Sequence, residues 1–211
     1  MTYRRDLVIL LADLDAENVV KTLIEKREKS LGIRQVSFDV VRHTMRDSGC
    51  CREAGSLLRT HLRSHHRALV LFDQHGSGRD GARPEDVEME VEEILQREGW
   101  EGARAACIVL APELESWVWS PSPAVDDALG WTGRTPKLRD FLVEKRFVTE
   151  RRHKPSDPKA AMKAALRKVG KPHSARVFAI LAENVSIRRC QDRSFGKFVR
   201  TLRDWFALLG E

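Results

Sequence analysis

Four short apolar runs, each separated from the next by an amphipathic stretch, limit this chain's folds more than any other feature. They are "DLVILLAD" (residues 6–13), "VSFDVVRH" (36–43), "RALVLFD" (67–73) and "AACIVLAP" (105–112). Between them, residues 16–32 place Val19, Val20, Leu23, Ile24 and Leu31 at helical spacing and stop at Gly32. Residues 52–66 are helical in pattern, and residues 84–99 open on Pro84 and acidic residues and end at Gly99. Strands alternating with helices imply right-handed crossovers and a mostly parallel sheet. Nearly continuous apolar strands suit a sheet covered on both faces. The expected fold is therefore α/β, a mostly parallel four-stranded sheet flanked by helices over residues 1–120. Residues 121–211 are expected to form a basic helical extension packed on it. A connector rich in Pro, Gly and Ser (120–136) leads to helical stretches 137–147, 157–169, 174–185 and 194–209, with Asp157 and Ser174 as N-caps.

Ligands of parallel sheets bind outside the strands' carboxyl ends, so the residues just past each strand are the first candidates for a site. Asp13, Asp15 and Glu17 come after the first strand, His43, Arg46 and Asp47 after the second, Asp73 and His75 after the third, Glu113 and Glu115 after the fourth. Carboxylates converging on one edge are the hard oxygen donors that Mg²⁺ or Mn²⁺ takes, alongside water and substrate phosphate. An aspartate in such a place can also simply cap the next helix. In "PELESWVWS" (112–120), extended chain would put Glu113, Glu115 and Trp117 on one face, and only one glutamate need face a metal. The tryptophans read as packing residues. No GxxxxGK[ST] is present, so a P-loop is not supported.

Charge is unevenly spread. Residues 131–211 carry 20 Lys+Arg against 8 Asp+Glu, whereas residues 1–130 carry 17 against 23. Such asymmetry suits a cation site in one part and a polyanion contact in the other. Cys50, Cys51, Cys107 and Cys190 lack zinc-type spacing or a plausible disulfide pattern, which sets the expectation of a reducing, cytoplasmic setting. No apolar run reaches membrane-spanning length, and Asp13 and Asp15 interrupt the only stretch that resembles a signal peptide, so no membrane partner is expected.

The segments "ADLDAENVVKTLI", "LVLFDQHGSG" and "LAPELESWVW" occur in an order and spacing that resembles the TOPRIM-like fold. The likeness is to small bacterial TOPRIM-like proteins of phage-defence loci, related to the OLD nucleases, among them a methylation-associated defence component. It spans roughly residues 6–120. It implies a Mg²⁺- or Mn²⁺-dependent nuclease acting on DNA or RNA, alone or with other defence-system proteins. Mapped onto these segments, Asp73, Glu113, Glu17 and Asp13 would hold metal, and Asp73, Glu113, Glu115 and His75 would serve catalysis. Two departures stand out. The usual first-strand glutamate–glycine pair is absent, so Asp13, Asp15 or Glu17 would substitute. The third-strand motif reads Asp73-Gln74-His75, lacking its second acid. Both departures keep open a non-catalytic scaffold or adaptor.

In the extension, Lys159, Lys163 and Arg167 lie four apart and would form one basic stripe suited to phosphate backbone, or simply a solvated face. Lys154 or Lys159, with Arg188, Arg189 and Arg193, are candidates to neutralise phosphate near the carboxylates. Few aromatics are interleaved, so base stacking is not evident.

Overall fold

The computed structural model describes residues 3–120, 122–149 and 154–208, with the Arg189 side chain also outside the described set. Its centre is a wholly parallel sheet in the order β2-β1-β3-β4, formed by β1 (Arg5–Leu11), β2 (Phe38–Arg42), β3 (His65–Asp73) and β4 (Ala105–Leu110). Side chains alternate strictly across it. Leu7, Ile9, Leu11, Leu69, Leu71, Ile108 and Leu110 enter one layer; Val8, Leu10, Val70, Phe72, Cys107 and Val109 enter the other. Burial on both sides explains why the central strands read as unbroken apolar runs.

The first layer holds α1 (Leu14–Lys26), the short α2 (Glu28–Leu31) and the C-terminal helices. The opposite layer holds α3 (Arg46–Arg59) and α4 (Pro84–Arg97), whose Cys50, Ala54, Leu58, Val87, Val91 and Leu95 pack on the sheet. After β4 come α5 (Glu115–Val118), α6 (Pro123–Leu129), α7 (Leu138–Glu144), α8 (Pro158–Lys168), α9 (Ala175–Asn184) and α10 (Arg193–Phe206). Their apolar faces join the α1 layer in one continuous cluster, with Trp117, Trp119 and Trp131 buried in it. Each of those indoles finds an acceptor: Ser194 Oγ, Pro158 O and Ala165 O respectively. Burying an aromatic body while satisfying its single donor is what favours tryptophan there.

Two helices depart from the expected bounds. The stretch 16–32 breaks at Arg27, whose guanidinium leaves the helix line to hydrogen-bond the carbonyls of Ala182, Glu183 and Val185 at the end of α9. The stretch 52–66 starts earlier, at Arg46, and ends at Arg59; His65 and His66 open β3 instead. His65 is buried between Ser64 Oγ (2.8 Å) and Asp39 Oδ2 (3.0 Å), so a polar side chain with satisfied nitrogens occupies a strand position.

The β4 edge is closed by side chains rather than by another strand. The outward N–H groups of Cys107 and Val109 each donate to a glutamate of α4, Glu92 and Glu88, at 2.9 Å. Arg193 of α10 donates to both Glu88 oxygens at 2.9 Å and to Val109 O at 3.2 Å. Lys197 bridges Glu88 (3.2 Å) and Glu92 (2.8 Å). Arg193, a phosphate candidate by sequence, is thus committed to the fold.

Candidate metal centre

The carboxyl ends of the strands form one rim, and the strand order reverses between β1 and β3, where such sheets open a crevice. Asp73 ends β3. Its N–H donates to Asp47 Oδ1 and its own Oδ1 accepts from Leu114 N–H, both at 2.8 Å. The β3 terminus is thereby clasped to the first turn of α3 on one side and to the segment after β4 on the other. That segment turns tightly into α5, with Ser116 N–H returning to Glu113 O at 2.9 Å. The turn brings both glutamates inward, and both are buried. One carboxylate oxygen from each of Asp73, Glu113 and Glu115 lies within 4.8 Å of the others.

Two groups from the C-terminal part of the chain reach this trio. Lys159, in the first turn of α8, donates its N–H to Glu113 Oε1 (3.1 Å) and its Nζ to Glu113 Oε2 (3.0 Å). The same Nζ stands 3.8 Å from Glu115 Oε1, as does His173 Nε2. Sequence reasoning singled out Lys159 for such a place but missed His173, which sits in a "KPHS" loop with no distinguishing pattern. It also passed over Asp47 when choosing among the strand-end acids. Asp47 is delivered by a constrained corner: Arg46, immediately before it, holds φ at +52°, a left-handed conformation costly for a residue that carries a Cβ.

Electrostatically the rim is short of positive charge. Burial, then the Asp47 and Glu115 carboxylates, push the Asp73 carboxyl well above the usual carboxylate range, against the pull of Lys159 and the Leu114 N–H. Burial pushes Glu115 up to about 7, the attraction of Lys159 being too small to restore it. Asp47 and Asp15 are also raised, each by burial first and with the Asp13 charge adding to it. Burial opposes the charge on Lys159, but Glu115, Glu113 and Asp73 more than offset this and raise it. One ammonium does not neutralise so many neighbouring acids. The donors are all hard oxygens and converge within one coordination shell's reach, and two of them, Asp73 and Glu115, are destabilised as anions; a divalent cation suits them.

The other expected metal ligands are engaged elsewhere. Asp13 caps α1, accepting from Ala16 N–H at 3.0 Å. Glu17 is salt-bridged to Arg42 (2.9 Å) and Lys21 (3.6 Å) on the flank of the rim. Neither joins the trio among the described residues. The His75 side chain is 77% exposed and pairs with Asp80 at 3.3 Å, and it is not among the clustered donors. Between Asp73 and His75, Gln74 is buried and its amide donates to Arg79 O (3.1 Å) and Ala82 O (2.6 Å), pinning the glycine-containing loop. A carboxylate has no hydrogen to give either carbonyl, so this loop requires an amide.

The basic candidates also separate. Lys159 belongs to the acidic rim, whereas Lys163 and Arg167 continue along the exposed side of α8. Lys154 pairs with Asp192 at 3.0 Å, and Asp192 itself caps α10. Arg188 is exposed. The Arg189 side chain and residues Arg151 and Arg152 lie outside the described residues. No described helix is long and apolar enough to cross a membrane.

Comparison with protein-family models, with curated proteins and with solved structures gives no match.

Proposed function

We propose that the Asp73–Glu113–Glu115 rim holds Mg²⁺ or Mn²⁺ and that the chain is a TOPRIM-like, metal-dependent phosphodiesterase acting on DNA or RNA in bacterial anti-phage defence. The observation that carries this is the meeting of three carboxylates, from the ends of β3 and β4, beside a lysine at the carboxyl rim of a parallel sheet. The defence setting rests on the resemblance of the three strand-end segments alone. Bound there, the ion would polarise a phosphoryl oxygen and activate a water. Asp73, Glu113 and Glu115 would hold it. Lys159 Nζ, already shared between two glutamates, would neutralise a phosphate oxygen drawn to the ion. The exposed Lys163 and Arg167 would carry the adjoining backbone, giving sequence-independent and salt-sensitive affinity.

A second function, a non-catalytic scaffold or adaptor in a defence complex, is favoured by His75 standing where an Asp-x-Asp motif has its second acid and by the Lys159 ammonium among the glutamates. The two are separated by one set of measurements. Mn²⁺ titration by calorimetry, and cleavage of DNA and RNA with Mg²⁺ or Mn²⁺, would be run on wild type, Asp73→Ala and Lys163→Glu/Arg167→Glu. The nuclease requires Mn²⁺ binding and cleavage that Asp73→Ala abolishes, with the double charge reversal weakening nucleic-acid binding and its salt dependence. Metal binding without cleavage selects the scaffold; equal cleavage by wild type and Asp73→Ala rejects the site.

A further inference from the structure

The two edges of the sheet are treated in opposite ways. On β4, glutamates cap the outward N–H groups and Arg193 covers an outward carbonyl. Among the described residues, β2 has no such cover. Leu7 N–H donates to Ser37 O and His43 N–H to Leu11 O, so in this parallel ladder the odd-numbered residues of β2 bond inward to β1. The N–H and C=O of Phe38, Val40 and Arg42 therefore point outward. Among the described residues nothing pairs with them, and a groove lined by Arg5, Glu17, Lys21, Glu25, Phe38 and Val40 runs alongside. Unpaired strand edges are templates for another strand, and monomeric proteins ordinarily block them with charge, proline or a bulge. Here the two charged residues of β2 are turned to other duties: Asp39 to His65 and Arg5, Arg42 to Glu17.

We infer that β2 is an interface between two copies of this chain, paired antiparallel about a two-fold axis through Val40. Three features favour a second copy as the occupant. The outward residues number three with Val40 central, so two-fold pairing matches every donor on one edge with an acceptor on the other. In that register no like charges face each other: Phe38 opposes Arg42 of the second copy, a cation–π pairing, and Val40 opposes Val40 of the second copy. Phe38 and Val40 are only partly buried against the α1 layer, leaving apolar surface for that contact. The groove also carries both signs of charge, which suits a surface that must complement itself. A five-residue strand addition is small beside a standard interface, so the association is weak and concentration-dependent.

Val40→Pro tests this cleanly. Among the described residues the Val40 N–H serves no bond, so proline there, on an edge strand, removes a donor the monomer does not use. Sedimentation velocity from micromolar to near-millimolar protein should take wild type from monomer to dimer, while folded Val40→Pro stays monomeric. Amide exchange on wild type, independent of the variant's folding, should show Phe38, Val40 and Arg42 gaining protection with concentration and the Val8 and Leu10 amides unchanged. A wild type that is monomeric throughout, a dimer that Val40→Pro leaves intact, or protection that ignores concentration overturns the inference. A monomer that instead takes up an extended peptide at this edge overturns it equally.

Discussion

Glu88 offers the sharpest test of how the sheet is held. Its carboxylate is 3% exposed and meets three partners at once: the Val109 N–H, the Arg193 guanidinium and the Lys197 ammonium. Replacing it with alanine strands a buried backbone donor, at about 1–3 kcal/mol. It also leaves two cations without their shared anion. Breaking a fully buried pair costs about 3–5 kcal/mol, but the Arg193 and Lys197 side chains keep 37% and 24% of their surface, and Arg193 retains Glu85. Solvent therefore takes up part of the loss, and a total of about 3–4 kcal/mol follows. For a chain of this length that lowers Tm by roughly 10 °C. Glu88→Gln keeps an acceptor for Val109 while losing the charge, so it should fall between wild type and alanine, near ~1–2 kcal/mol.

Thermal and urea unfolding of the two variants would be set beside Asp86→Asn, which removes an exposed pairing with Arg83 on the same helix and should leave Tm unmoved. Amide exchange adds a local readout, since Cys107 and Val109 should exchange faster in Glu88→Ala. If alanine, glutamine and the Asp86→Asn control were indistinguishable, the carboxylate cap on β4 would not be holding the edge, and the reasoning would be wrong.

Three further outcomes are expected. A Cβ on Gly49 would collide with the His43 imidazole, so Gly49→Ala should destabilise by about 1–3 kcal/mol, and His43→Ala in the same chain should restore part of that loss in a double-mutant cycle. Hydrogen bonds from Arg34, with the Ser37 N–H and hydroxyl, hold the Asp6 carboxyl far below its ordinary value, so its contribution is complete above about pH 4 and is lost as pH falls through the depressed value; Asp6→Asn should cost about 1–2 kcal/mol at neutral pH and flatten the acid limb of a stability–pH curve, and an unchanged limb would refute this. Lys159→Met should lower Tm without metal, and millimolar Mn²⁺ should raise Tm more in the variant than in wild type, because the ion then replaces the lost ammonium among Glu113, Glu115 and Asp73; equal metal-induced shifts would count against a shared site.

How far the chain could be read in advance varied with the physics of each part. Strand existence was legible because β1, β3 and β4 are buried on both faces and leave no polar break in their runs. The start of β3 was not, because His65 and His66 carry no strand signal and His65 is held in place by hydrogen bonds made across the sheet. At the site, Asp73 and the two glutamates could be named from strand ends alone. Their joint contact with Asp73 could not, since it is made by the turn into α5, which the local pattern leaves undecided between extended chain and a helical turn. Lys159, on α8, and His173, in the loop after it, arrive from more than forty residues downstream, a distance over which local pattern says nothing about contact. By pattern Gln74 is only the unspecified middle of an incomplete motif; its two carbonyl acceptors show an amide that this loop needs.

The charge asymmetry takes on a different meaning in the contacts. An acidic first part and a basic last part suggest two separate binding roles, yet much of the opposition is satisfied between them. Glu85 and Glu88 take Arg193, Glu88 and Glu92 take Lys197, Glu113 and Glu115 take Lys159, and Lys26 takes Glu183 in the reverse sense. These pairs tie the C-terminal helices to the sheet at its outer edge and at its carboxyl rim, the two places where backbone or carboxylates would otherwise stand uncompensated. Exposed cations outside these pairs include Lys163, Arg167 and Lys168 on α8 and Arg188 beyond it. Because α8 delivers Lys159 to the glutamates, the helix that helps hold the fold together also carries the exposed Lys163 and Arg167 on from the acidic rim.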